Sequence, residues 1–369
     1  MRILFIGKRY YTNRDAYTER FGRIYQLPYW WATSGHDVDL WLLDYHGGDV
    51  DQTRDETLTV ETTPILRWRF FARWAAAGFS RWSRRRPDII VASGDCYTGF
   101  VAYLAAVFCG AKFVFDVYDR YELFDGYRRF PGFDPQTFLV RKADAVTFVS
   151  VAVMDELREL TRDAALVPNG IDLNLFSPQS MRDSRKQFDL PDDVPLIGYF
   201  GSMEVDRGVG DLIDAVASLV DQGTALCLVI GGKANPEINL EYPWVRYLGN
   251  LDYKQMPTAL ASCDLLALPY RQSEIMDQGA SCKIAEYIAV QRPVVATRTQ
   301  NFVRNFPTQA VELDGLLATP GDAEELGRCI LGQLSERRLV SLPKSVDWRE
   351  ISQRALASIE AEGTAEEAG

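Results

Sequence analysis

Residues 264–297 read DLLALPYRQSEIMDQGASCKIAEYIAVQRPVVAT. An apolar run, Leu265–Leu268, stops at Pro269, and a polar loop runs on to Gln278. Gly279-Ala280-Ser281 then opens an amphipathic helix carrying Lys283 and Glu286, and a second apolar strand starts at Pro293. Strand, loop, helix, strand is a βαβ unit, and repetition of that unit predicts a parallel sheet with helices on both faces.

The pattern extends in both directions. In the first half, Ile3–Ile6, Val38–Leu43, Ile89–Ala92, Lys112–Asp116 and Ala145–Val149 read as strands, with helices near 18–34, 67–85, 98–109 and 151–161. In the second, Leu196–Phe200, Ala225–Ile230, Val245–Leu248, Leu265–Leu268 and Pro293–Thr297 read as strands, with helices near 208–221, 255–261, 281–290 and 322–335. Between them, residues 166–195 hold four prolines and an Asn-Gly turn, as a hinge does. The expectation is α/β, two Rossmann-like doubly wound domains facing a central cleft. Residues 1–170 form the first domain, 171–195 the linker and 196–340 the second. Residues 341–369 supply a C-terminal helix near 348–360 and an acidic, disordered tail.

Composition agrees. The chain has 369 residues, 47% hydrophobic and 25% charged, enough for two cores and unlike a disordered protein. A net charge of −11 disfavours a general nucleic-acid binder. No apolar run reaches the ~18–20 residues of a membrane span, and MRILFIGKR is too short for a signal peptide. Six scattered cysteines and two histidines, His36 and His46, predict reduced thiols, a cytoplasmic chain and no metal site. The charge is uneven, however: seven arginines and no acid lie between Arg67 and Arg86.

Three glycine turns of the second half each have a cation close by. Gly201-Ser202 follows the strand PLIGYF and precedes Arg207 and a helix. Gly231-Gly232-Lys233 follows ALCLVI. Gly279 precedes Ser281, read as a helix cap, and Lys283. Free N–H groups at such turns attract phosphate. Glu286, one turn beyond Lys283, can accept hydrogen bonds from both hydroxyls of a ribose. Taken singly, each turn is equally a packing glycine, and Lys283–Glu286 equally a surface ion pair.

The motif order resembles the nucleotide-sugar-dependent glycosyltransferases of family 4, which have the two-domain GT-B fold. The matching pieces are SGHDVDLW (34–41), RRRPDIIVAS (84–93), VPNGIDLNLF (167–176), GSMEVDRGVGDLIDA (201–215), VRYLGNLDYKQMPTALASCDLLALPY (245–270) and KIAEYIAVQRPVVAT (283–297). The resemblance implies a retaining transferase without a metal or cofactor, the nucleotide sugar being a substrate. Glu286 matches the ribose-holding glutamate, Gly201 the backbone contact to the diphosphate, and Arg207 and Lys283 its basic neighbours. Gly249-Asn250 matches the edge of the base pocket. Asp119, after the strand holding Asp116, is the first-domain carboxylate expected to serve the acceptor or the transferring sugar.

The chain also departs from the family. The first of two expected glutamates falls on Gln278, with Glu274 or Asp277 as substitutes, and the common Gly-Arg pair reads Gly201-Ser202. Paired glycines are missing from KRYYTNRDAYTERFGR, where Arg9, Arg14 or Arg20 suits an anionic acceptor. These departures keep two alternatives open, a weakened relative acting as a binding subunit and a nucleotide-sugar epimerase. In the arginine-rich segment, Trp68, Phe71, Trp74, Ala75, Phe79 and Trp82 share one helical arc, with Arg69, Arg73, Arg81 and Arg84 mostly opposite. It reads either as a helix packed on the sheet or as an interfacial helix on anionic lipid, which would suit a lipid-linked acceptor.

Overall fold

A computed structural model describes residues 1–11, 14–47, 49–55, 57–65, 78–79, 82–123, 127 and 132–361. Two compact units result. The first comprises Met1–Gly170, Gln278–Ala280 and the chain from Asp347; the second comprises Ile171–Asp277 and Ser281–Val346.

The first unit carries β1 (Arg2–Lys8), the short hairpin β2 (Tyr10–Tyr11) and β3 (Arg14–Asp15), β4 (Asp37–Asp44), β5 (Asp51–Asp55), β6 (Leu58–Pro64), β7 (Ile89–Ser93), β8 (Lys112–Val117), β9 (Ala145–Phe148) and β10 (Ala164–Leu166). Its main sheet has the order β10-β9-β8-β7-β1-β4-β6-β5, parallel except for the β5–β6 edge pair. The chain runs from β1 out to β6, then returns to β7 on the other side of β1. That reversal makes the sheet doubly wound. Alternate residues feed two cores: Ile3 and Phe5 join Leu40 and Val91, while Leu4 and Ile6 join Trp41 and Ile90. Coverage of both faces is why these strands read as unbroken apolar runs.

The helix Trp348–Glu360 belongs to this unit. Trp348, Ile351 and Ile359 enter the Phe5 core, and Trp31 Nε1 donates to the Ser352 carbonyl at 2.8 Å. Inside the same unit Arg23, 0% exposed, meets Asp116, 1% exposed, through bonds of 2.9 and 2.7 Å.

The second unit holds β11 (Leu196–Phe200), β12 (Cys227–Gly231), β13 (Val245–Tyr247), β14 (Leu265–Leu268), β15 (Val294–Thr297) and β16 (Leu317–Ala318), in the order β13-β12-β11-β14-β15-β16. All neighbours are parallel, and the winding reverses between β11 and β14.

Several boundaries differ from the sequence reading, each for a local reason. The first helix starts at Gly22 instead of 18, because β3 and the turn at 16–18 use the preceding residues. The helix expected over 98–109 starts at Cys96, two residues early, because Asp95 accepts from the Thr98 N–H. β5, β6, β10 and β16 were not expected: DQTRD is an exposed charged edge and β16 is two residues long. Residues 171–195 are built structure. Ile171 and Phe176 are buried, Ser180 caps a helix at Met181–Gln187, and Arg185 donates to the Ser262 carbonyl. Most of the arginine-rich segment, including Arg69, Arg73 and Arg81, lies outside the described residues. Of its described part, Trp82 is 1% exposed and packs on Trp41, while Arg84 is exposed. The described residues include no helix long and apolar enough to cross a membrane.

Candidate functional site

In a doubly wound sheet, ligands bind beyond the strand C-terminal ends where the winding reverses. In the second unit that place is the pair of loops after β11 and β14. The glycine turns converge there. Gly201 N–H donates to the Gly231 carbonyl at 2.8 Å, and Gly232 N–H to the Gly249 carbonyl at 2.8 Å. A Cβ on Gly232 would lie 1.9 Å from the Gly201 oxygen, so the two turns touch backbone to backbone. Over them lies Lys283, whose Cε would be 2.6 Å and Nζ 3.1 Å from a Cβ on Gly201. The N–H groups of Gly201 and Gly232 are thus used inside the protein instead of standing free as expected, and the ammonium group above the turn is the group placed to meet an anion.

Arg207 stands on the same loop, its guanidinium carbon 5.3 Å from the Tyr270 ring centre and its Nε 3.5 Å from Glu204. Burial pulls its pKa down, but Tyr270, Tyr199 and Glu204 outweigh that and raise it, so it keeps its charge. The loop is braced from β14. Arg271 grips Asp211 through Nε at 2.7 Å and Nη2 at 2.5 Å, and Ser273 Oγ donates to Asp206 at 2.8 Å. Gly208, at φ +65°, approaches so closely that a Cβ would sit 1.8 Å from the Pro269 oxygen. Gly208→Ala should therefore cost the second unit about 2–4 kcal/mol, from left-handed strain plus overpacking. Urea unfolding followed by the unit's tryptophan and tyrosine signals measures it, and a loss below about 1 kcal/mol would contradict the close approach.

The remaining expected residues divide. Glu286, 6% exposed, accepts from the Cys282 thiol at 3.7 Å; burial first, and Glu286 second, push that thiol up to about 12. Ser281 Oγ accepts from the Lys283 N–H, the first of the helix, at 3.4 Å. The helix is Lys283–Ala289 with Cys282 at its N-cap, and Ser281 Oγ lies 3.3 Å from the Tyr270 hydroxyl. Seven residues make a short dipole, so the glycine turns and cations carry the anion argument here. Ser202 Oγ is turned to Glu204 at 2.6 Å. Lys233 and Asn250 are exposed beside their turns. Gln278 and Gly279 group with the first unit, where the Gln278 carbonyl accepts from Ser150 Oγ at 2.6 Å and its amide nitrogen approaches Glu156 at 3.3 Å.

In the first unit, Asp116 is committed to structure: besides Arg23 it accepts from Ser93 and Thr147 hydroxyls, both at 2.6 Å. Asp119 is half-buried in the turn after β8 and close enough to Tyr121 to raise that phenol's pKa further, after burial and Tyr118. Arg9, Arg14 and Arg20 are paired with Asp15 and Asp44, Glu19, and Asp55 respectively. Sequence reasoning overlooked Lys8 and Asp95 at the β1–β7 reversal. They pair at 2.7 Å, and Lys8 Nζ lies 4.3 Å from the Tyr121 ring centre. It also overlooked Arg271 and Tyr270; the run PYR straight after an apolar strand was their one available signal.

Two family models match in chain order: a glycosyl transferase 4-like domain over residues 23–170 and a glycosyl transferases group 1 domain over residues 194–336. Over 181 residues the chain is 24% identical to the GDP-mannose-dependent monoacylated alpha-(1-6)-phosphatidylinositol monomannoside mannosyltransferase of Corynebacterium glutamicum, covering 46% of each. The chain spans about half the length of the curated relatives it matches. Its fold is similar to sucrose-phosphate synthase from Thermosynechococcus elongatus (TM-score 0.69, 16% identity, 99% of this chain and 98% of that one). It is also similar to Anabaena HepE in complex with UDP (TM-score 0.69, 17% identity, 98% of this chain and 100% of that one). With both halves matched in order on this two-unit fold, the chain belongs to the family 4 glycosyltransferases of the GT-B type.

Proposed function

We propose that this chain moves a hexose from a UDP- or GDP-sugar to a glycan or lipid-linked acceptor, with retention of configuration. The observation that carries the reading is the convergence of Gly201, Gly232, Lys283 and Arg207 at the reversal point of the second sheet. Two cations beside glycine turns that let a ligand approach the backbone closely suit a diphosphate that becomes a leaving group, and the cations stabilise its growing charge without a metal. In this reading Gly201, Ser202, Gly232, Lys233, Gly279 and Ser281 surround the diphosphate and sugar. Gly249 and Asn250 border the base, Glu286 holds the ribose, and Gln278 contacts the sugar. Asp119 serves the acceptor side. The relative named for GDP-mannose and a phosphatidylinositol mannoside and the UDP-bound neighbour support the donor class and a role in polysaccharide or glycolipid synthesis. Retention rests on family likeness. The chain then works in the cytoplasm, at the membrane's inner face when the acceptor is lipid-linked.

The test is Glu286→Ala with a panel of nucleotide sugars. Losing a charged acceptor for the ribose should raise donor KM about 30- to 150-fold, from ~2–3 kcal/mol of lost hydrogen bonding, with Glu286→Gln intermediate and melting temperatures recorded for both. Unchanged donor kinetics in a folded Glu286→Ala protein would remove Glu286 from the donor site. Nucleotide binding without turnover on any donor and acceptor would favour a binding subunit.

A further inference from the structure

The helix Cys96–Cys109, CYTGFVAYLAAVFC, contains no charged residue along its 14 positions. Thr98, Ala102, Ala105 and Ala106 form its buried arc. At 100° per residue the opposite arc holds Tyr97, Phe100, Val101, Leu104, Val107 and Phe108. Tyr97 is 45% exposed, Leu104 57%, Val107 65% and Phe108 62%; Phe100 and Val101 are half-buried. A surface helix ordinarily turns polar residues to water, and here the whole outer face is apolar. Phe79 widens the patch on one side, its ring 5.8 Å from Phe108. Phe133, 42% exposed, widens it on the other, 6.3 Å from Phe100.

At one end of this face the cations outnumber the acids. In a parallel sheet the crossover helices run back toward the strand starts. Cys96–Cys109 ends before β8, the helix Pro135–Lys142 ends before β9, and the residues through Arg86 lead into β7. These three strands are neighbours. Their shared starting edge therefore gathers the Phe108 end of the apolar face with exposed Arg84, Arg85, Arg86, Arg141 and Lys142. Of the acids near that edge, Asp39 pairs with Arg85, Asp88 with Arg2, and Asp144 accepts from the Phe113 N–H, while Asp37 and Glu360 are exposed; with Arg2 and Lys112 included, the cations still outnumber these acids.

We infer that the outer face of Cys96–Cys109 seats the protein on an anionic lipid surface, its side chains entering the headgroup boundary while the flanking cations meet phosphates. An apolar arc rimmed by Arg and Lys is the pattern of interfacial helices. A second copy of the chain fits less well, because isologous pairing of this face would oppose cations from both flanks. The proposal stands on surface chemistry alone, so it survives or fails separately from the transfer reaction.

The experiment is flotation of the full chain with phosphatidylcholine vesicles, with and without phosphatidylglycerol. The wild-type chain should float with the anionic vesicles, less so as salt rises. Leu104→Glu with Val107→Glu should lower binding at least about tenfold at unchanged melting temperature, since both positions are exposed. Arg141→Gln with Lys142→Gln should lower it about 30-fold, at roughly one kcal/mol per cation, and flatten the salt dependence. A Val107→Trp protein should be quenched by brominated lipid. Absence of flotation, equal flotation of the glutamate variant, or unquenched Trp fluorescence overturns the proposal. So does a dimer in sedimentation velocity that the glutamate pair dissolves, which assigns the face to a second copy.

Discussion

Asp116→Ala should cost the first unit about 3–5 kcal/mol, the range for removing one partner of a buried ion pair. Arg23 is 0% exposed. Without Asp116 its guanidinium keeps the Val167 carbonyl at 3.0 Å and Asn169 Oδ1 at 3.1 Å, but no counter-charge among these bonds. The hydroxyls of Ser93 and Thr147 lose their acceptor in the same substitution. Domain stabilities run to about 5–15 kcal/mol, so the variant should show an early urea transition for the first unit while the second keeps its midpoint. Asp116→Asn retains an acceptor and should lose less. The discriminating variant is Asp116→Leu combined with Arg23→Met. Replacing both ions by apolar groups is often neutral, so the double variant should recover most of the loss. If Asp116→Ala costs under about 1 kcal/mol, the typical worth of one ordinary hydrogen bond, the carboxylate is not the keystone of this network.

Asp116 also marks where sequence reading stops. It stands at the end of an apolar strand, three residues before Asp119, and nothing in the sequence signalled its structural role. Its true partner lies 93 positions away, on a helix whose Arg23 carried no local signal. Pairing of that kind is tertiary and leaves no periodicity. The strands were legible for the opposite reason. β1, β4, β7 and β8 are covered on both faces, so nearly every residue must be apolar. β5 is an antiparallel edge with exposed residues, so its cross-strand bonds to β6 hold it in place of its composition.

The candidate site was half legible. Each glycine turn showed itself, because Gly after an apolar strand and before a cation is a local pattern. The contacts between turns did not. The seat of Gly208 against Pro269 and the grip of Arg271 on Asp211, 60 positions apart, exist only once β11 and β14 lie side by side. Ser281 was legible as a group that accepts from the first N–H of the helix, at Lys283, but its second neighbour, the Tyr270 hydroxyl, was not. Arg207 was chosen on spacing and family likeness. What gives it a fixed place is the Tyr270 ring beneath it and a loop braced from β14.

That fixed place leads to the largest expected effect on turnover. A departing nucleoside diphosphate gains charge as the glycosidic bond breaks, so groups that stabilise it act mainly in the transition state. Lys283→Ala and Arg207→Ala should each lower kcat about 10²- to 10³-fold, the range for losing one preorganised charge stabiliser, with smaller changes in donor KM. Lys283→Arg should restore part of the loss if charge is what matters. Arg207→Lys should restore less, because stacking on Tyr270 and the fork geometry need a planar guanidinium. The double alanine variant should lose less than the product of the single losses, since both cations act on one leaving group. Arg207 keeps its charge because its polar neighbours outweigh burial, so the pH–rate profile of Arg207→Ala should be lowered but parallel to wild type. A Lys283→Ala enzyme within about threefold of wild-type kcat, well short of the loss expected for one such stabiliser, would take Lys283 out of the reaction and leave it as packing over Gly201.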